Sequence, residues 1–98
     1  MEINIIHADV LTVTVKGRLD TVTSPAFDAT IAGENITEDK VVVDFTDVEY
    51  ISSAGLRALL ALKRRLDAEN KSLTIKNINA VVREVFSVTG FINVLTIE

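Results

Sequence analysis

The chain has 98 residues, 48% hydrophobic and 24% charged, with one proline, four glycines and no cysteine. That length suits one hydrophobic core, so residues 1–98 are expected to form a single domain, and without cysteine there are no disulfides, thiol redox sites or thiolate metal sites. A net charge of −4 gives no general attraction to nucleic acid; with no run of about 18 apolar residues and no signal-like start in MEINIIHADV, a cytoplasmic protein with protein partners is expected.

Strand features open the chain. Ile3, Ile5 and Val10 flank a polar HAD break, and Leu11, Val13 and Val15 then alternate with Thr12, Thr14 and Lys16. A period of two rich in β-branched residues predicts a hairpin with one buried face, ended by Gly17. In TVTSPAFDATIAGENI, Ser24 is a candidate cap and Pro25 suits the first helical position. Phe27 and Ile31 would share the buried face, and Gly33 and Asn35 would end this helix. KVVVDF, residues 40–45, resembles a strand covered on both faces. GLRALLALKRRLDAEN is the clearest helix: Leu56, Leu59, Leu60, Leu62 and Leu66 make its apolar stripe, within which Lys63 must snorkel. SLTIKN predicts another strand. NAVVREVFSVTG predicts a last helix, with Val81, Val85 and Val88 in one line, Val82 and Phe86 beside it, and Gly90 as a left-handed stop on which Phe91 packs back. INVLTIE has room for a final short strand.

The order β-β-α-β-α-β-α, with that final strand, predicts an α/β fold. Parallel strand-helix-strand units with right-handed crossovers put their helices on one side. The expected architecture is a small mixed, mostly parallel sheet of four to five strands, with an antiparallel N-terminal edge and helices mainly on one face.

Chemistry-bearing patterns are few. The only histidine, His7, sits at the first strand or its turn, where a surface role is the better reading than a catalytic triad. Gly17 and Gly33 stand alone, so there is no phosphate-cradling loop. Asp20, Asp44 and Asp47 lack calcium-loop spacing, and no metal, cofactor or enzymatic role is expected. The stretch VEYISSAGLRALL is more informative. If the helix begins near Ala54, then Ser52 or Ser53 is its cap, worth roughly 1 kcal/mol, and Ala54 and Gly55 are small residues permitting close backbone approach. The same geometry places a hydroxyl beside free N–H groups and a partial positive charge, which stabilise a phosphate. Arg57, four residues after Ser53, could pair with a phosphoserine. Phosphorylation adds about −1.5 to −2 charges, which would spoil docking of a partner.

These residues carry a specific resemblance. GRLDTVTSPAF, VVVDFTDVEYISSAGLRALL, SLTIKN and VREVFSVTGFINVLTI occur in the order found in STAS-domain anti-sigma factor antagonists and span nearly the whole chain. The resemblance implies partner switching: the unphosphorylated domain binds an anti-sigma factor, usually a serine kinase of the GHKL type, and releases the sigma factor. The kinase then phosphorylates a serine at the start of the second helix, and a serine phosphatase reverses this. By position the phosphoacceptor matches Ser53, two residues before Gly55, with Ser52 as runner-up because it stands where many members carry Asp. Asp20 matches a family Asp near the phosphoacceptor. The expected contact surface runs over the Asp20-to-Ser24 loop, the Tyr50-to-Gly55 junction and the exposed side of the following helix, with Asp20, Thr21, Thr23, Ser24, Tyr50, Ser52, Ser53, Ala54 and Gly55 as its residues. Arg57 joins them by helical spacing, since the resemblance assigns it no role. A monomer without cofactor is expected. The alternative is a constitutive scaffold or sensory-complex subunit without a phosphorylation cycle.

Overall fold

Alternation builds the N-terminal hairpin. In the computed structural model, which describes all 98 residues, β1 (Glu2–Ile6) pairs antiparallel with β2 (Leu11–Leu19), placing Ile3 opposite Val15 and Ile5 opposite Val13. The chain continues through α1 (Ser24–Ala32), β3 (Lys40–Ile51), α2 (Ser53–Ala68), β4 (Ser72–Lys76) and α3 (Ala80–Thr89). A 3-10 turn (Phe91–Asn93) leads into β5 (Thr96–Ile97). The five strands lie in sequence order, and every pairing after the first is parallel. This is the mixed α/β sheet the element order predicts, with β5 as the final strand.

One face of the sheet holds the core. Leu11, Val13 and Val15 of β2, Val41, Val43 and Phe45 of β3, and Leu73 and Ile75 of β4 are all buried. They pack with Phe27 and Ile31 of α1, with Leu56, Leu59, Leu62 and Leu66 of α2, and with Val82 and Phe86 of α3. Each such side chain contributes roughly 1.5–3 kcal/mol on burial, which is what fixes the helices to this side. Thr12, Thr14, Val42, Asp44, Thr74 and Lys76 point the other way and are only half-buried. The expectation that residues 40–45 are covered on both faces is therefore corrected, since no helix layer seals Val42.

β3 is also twice as long as its apolar run. Two register shifts against β2 insert an extra β3 residue each, between Asp44 and Asp47 and again between Val48 and Tyr50. Each bulge stretches the inward repeat from two residues to three, so Phe45, Val48 and Ile51 all face the core. Asp44 supports the first bulge by accepting bonds from the Thr46 N–H (2.9 Å), the Thr46 hydroxyl (2.6 Å) and the Asn77 amide (3.1 Å). The Thr46 hydroxyl bond is the main reason its carboxyl lies below the usual value. Opposite the second shift sits Gly17, whose φ of +100° is a conformation other residues rarely adopt. Gly17 thus lies inside β2, two residues before its end, and does not terminate it.

The helix ends differ from one another. Asn79 caps α3 by accepting from the Val82 N–H at 2.8 Å and donating to the Val48 carbonyl at 3.0 Å. Gly90 closes α3 in the left-handed conformation, and Phe91 packs against the core, both as expected. α3 does not bury its Val81-Val85-Val88 line, however. Val82 and Phe86 face the sheet, while Val81 and Val88 stay exposed. On α2, Leu60 is only half-buried, and Lys63 reaches Asp67 at the surface. Arg65 of α2 crosses to the end of α1 and donates to the carbonyls of Ile31 (2.8 Å), which also accepts from the Glu34 N–H, and of Glu34 (2.9 Å) just beyond the helix.

Candidate functional site

Ser52 and Ser53 have different structural roles. Ser52 is extended, with φ −100° and ψ 176°, and caps α2: its Oγ accepts from the Gly55 N–H at 3.4 Å. Its own N–H donates to the Leu19 carbonyl at 2.9 Å, tying the end of β3 to the end of β2. Ser53 is the first residue of α2 and is exposed. The N–H groups of Ser53 and Ala54 precede the first intrahelical bond, from the Leu56 N–H to the Ser52 carbonyl. A free hydroxyl therefore sits beside unpaired donors at the positive end of a helix.

Gly55 sets how closely this helix approaches β2. A Cβ there would lie 2.5 Å from the Leu19 carbonyl oxygen, 2.7 Å from Ile51 Cγ1 and 3.0 Å from Leu19 Cγ. Only glycine lets the first turn of α2 rest on the β2 backbone. That contact brings the 20–24 loop alongside the serine junction.

The loop itself is organised by Asp20. Its Oδ1 accepts from the N–H groups of Val22 (3.0 Å) and Thr23 (3.1 Å), while the Asp20 N–H donates to Thr23 Oγ1 (2.9 Å). The Thr23 hydroxyl donates to the Arg18 carbonyl at 2.7 Å. The Thr23 backbone bond, then that of Val22, outweighs desolvation and holds the Asp20 carboxyl below its usual value. Asp20 thus shapes the loop that leads from β2 into α1.

The remaining sequence-predicted residues divide by exposure. Thr21, Ser53 and Arg57 are exposed, and Asp20, Thr23, Tyr50, Ser52 and Ala54 are half-buried. Ser24 and Gly55 are buried beneath these residues. Ser24 does not cap α1: it is the first helical residue, its Oγ is buried without a partner, and Thr23 occupies the cap position. The Thr23 hydroxyl is committed to the Asp20 turn and makes no cap bond.

Two further residues lie beside these: Val22, within the expected 20–24 loop, and Arg18, which sequence reasoning missed. Val22, 85% exposed, projects an apolar side chain from the loop that Asp20 braces. Arg18 lays its guanidinium 4.9 Å from the centroid of the Tyr50 ring and its Nε 3.5 Å from Asp20 Oδ2. The register that pairs Arg18 with Tyr50 depends on the second bulge, which no local pattern announces. A separate open groove of about 260 Å³ runs between α1 and α2, lined chiefly by Phe27, Ile31, Ala58, Ala61 and Leu62. Its apolar walls suit a hydrophobic side chain better than a polar substrate.

Comparison with known proteins fits this geometry. Residues 6–96 match the family model described as the Mlab STAS domain. The chain belongs to the STAS-domain family. It is 37% identical over 60 residues to BtrV of Bordetella bronchiseptica, a protein named as an anti-sigma factor antagonist. That match covers 61% of this chain and 52% of the relative, so it spans about half of BtrV. The fold is shared with a Thermotoga maritima protein described as an anti-sigma factor antagonist, at TM-score 0.86 and 20% identity, covering 98% of this chain and 83% of that one. It is shared also with SpoIIAA in its unphosphorylated form, at TM-score 0.77 and 19% identity, covering 99% and 86%. The phosphorylated form of SpoIIAA, from Bacillus, superposes at TM-score 0.69 and 18% identity, covering 99% and 89%.

Proposed function

We propose that this STAS domain is an anti-sigma factor antagonist that works by partner switching, with Ser53 as the switch. Unphosphorylated, it binds an anti-sigma factor serine kinase of the GHKL type in the cytoplasm and so frees the sigma factor. Phosphorylation of Ser53 ends that binding, and a serine phosphatase restores it. The observation that carries this reading is the division of labour at the junction: Ser52 takes the cap and leaves Ser53 exposed. The likeness to BtrV, named as an antagonist, supports the same assignment. So does the likeness in fold to SpoIIAA, a protein with separate phosphorylated and unphosphorylated structures.

The docking surface comprises the loop of Asp20, Thr21, Val22 and Thr23, the Tyr50 to Ala54 junction, and Arg57. Val22 supplies an apolar anchor, while Arg18 and Arg57 offer charge to acidic groups on the kinase. A phosphate on Ser53 adds about −1.5 to −2 charges amid this surface. It repels those acids and engages Arg57, which is four residues along the same helical face. Burial of the charge that one guanidinium leaves uncompensated at the centre of an interface then disfavours docking.

The test is phosphate transfer from ATP by the GHKL kinase of the source organism. Native protein and Ser52→Ala should be labelled, and Ser53→Ala should not. Labelling lost only in Ser52→Ala would move the switch to the neighbouring serine. No labelling of any form, with kinase binding unchanged in Ser53→Asp, would instead make the domain a constitutive scaffold.

A further inference from the structure

His7 stands in the turn between β1 and β2, at the end of β3 opposite Ser53, and both of its ring nitrogens face carboxylates. Nδ1 lies 2.7 Å from Glu38 Oε2, and Nε2 contacts Glu34 Oε1. Both glutamates belong to the connection between α1 and β3. A neutral imidazole carries one N–H donor and one lone pair, so between two ionised carboxylates it must turn that lone pair on one of them. Only the imidazolium satisfies both sides.

The surroundings strengthen this requirement. The Glu38 side chain is 8% exposed, and its second oxygen, Oε1, is buried without a partner. His7 is therefore the group that compensates the Glu38 carboxylate. Lys71, from the connection between α2 and β4, donates to the Glu38 backbone carbonyl at 2.9 Å and holds that segment in place. On its own turn the nearest other charge in sequence is Asp9, also acidic. The His7 side chain is 43% exposed, so its proton exchanges directly with solvent.

We propose that His7, Glu34 and Glu38 form a pH-dependent latch, which ties the β1–β2 turn to the α1–β3 connection while the ring is doubly protonated and releases it when the ring loses a proton. β1 is an edge strand whose only neighbour in the sheet is β2, so this tether adds to that pairing and to the packing of Ile3 and Ile5 against the core. The latch is a property of the fold and is independent of Ser53 and its phosphorylation.

The Glu34 bond foremost, then that to Glu38, raises the His7 pKa above 6.5. A group with a raised folded pKa stabilises fully below its unfolded value, and that contribution is lost as pH rises through the folded value. On the acid side, burial of Glu38 opposes its ionisation, but the His7 bond and local N–H groups outweigh this and hold its carboxyl below 4.5. The Glu38 contribution is present above 4.5 and lost as pH falls through the lower folded value. The latch is closed between those limits.

Because His7 is the only histidine, its ring 15N signals are unambiguous in an NMR titration of the intact chain. The expected midpoint lies above 6.5, lower in Glu34→Gln and in Glu38→Gln, and back near 6.5 in the double variant. Amide exchange in β1, corrected for intrinsic base catalysis, should quicken several-fold on the alkaline side with the same midpoint, and His7→Gln should abolish that break. A native midpoint at or below 6.5 would overturn the latch. So would a midpoint unmoved by Glu34→Gln, a change at a part-exposed side chain that leaves the core intact, or β1 exchange with no break at the His7 midpoint.

Discussion

Two helices, α1 and α2, follow parallel strands that finish at the same end of the sheet, and they use their hydroxyls in opposite ways. At the start of α1, Ser24 is buried with an unpartnered Oγ and Thr23 is turned back into the Asp20 loop. At the start of α2, Ser52 caps and Ser53 is exposed. The α1 junction, with Ser before Pro, has the stronger local capping pattern, yet its serine caps nothing. The hydrogen-bonded turn around Asp20 decides the first case, and the contact of Gly55 with Leu19 decides the second. Whether a serine caps, hides or is presented depends on the backbone beneath it.

The sharpest way to break this contrast is at Gly55. Gly55→Ala drives a methyl group into the Leu19 carbonyl and Ile51, and overpacking of this kind costs about 1–3 kcal/mol. Urea unfolding should show that loss, and Ser53 labelling by the kinase should fall with it. Ser24→Ala should act in the other direction. Removing a buried hydroxyl that lacks a partner is expected to raise stability by about 1 kcal/mol, read by the same unfolding experiment. Ser52→Ala removes a cap whose bond is long, so a loss of about 0.5–1 kcal/mol is expected.

Smaller effects sharpen the picture. Asp20, with its lowered pKa, braces its loop above 3.8, and this support fades as pH falls through its folded value. Asp20→Asn keeps an acceptor oxygen for the Val22 and Thr23 N–H groups, whereas Asp20→Ala does not. Amide exchange at those two residues at neutral pH should therefore quicken in Asp20→Ala and change little in Asp20→Asn. Smallest of all, Ser53→Ala should alter stability by less than about 0.5 kcal/mol, because an exposed hydroxyl without structural duty is removed. Ser52 and Ser53 would then be separated by stability in one assay and by labelling in the other.

Much of the fold was legible because simple periods govern it. The alternation of Leu11, Val13 and Val15 and the leucine stripe of α2 each point to one buried face, and both are buried except for half-buried Leu60. The second half of β3 was hidden because its bulges convert the inward repeat to Phe45, Val48 and Ile51, a spacing that matches no strand pattern. α3 misled for another reason. Five apolar residues compete for one narrow contact, and Val82 and Phe86 reach the sheet while Val81 and Val88 do not.

The candidate site was legible through its family motif, which pointed to Ser53 while leaving the cap open between two serines. Its supporting parts were not. Arg18 belongs to an irregular strand end, where no periodicity reports direction, and for Val22 only its place in the 20–24 loop was legible, not its exposure. The burial of Ser24 follows from tertiary packing that its Ser-Pro pattern does not encode.

The central claim is most directly tested by calorimetry of the cognate anti-sigma kinase with two forms of this domain, one carrying phosphoserine at position 53 and one carrying it at position 52. The phosphate at 53 should weaken binding at least tenfold relative to the unmodified protein, with the fold intact by circular dichroism. Equal affinity of the unmodified and the 53-phosphorylated forms would contradict the account.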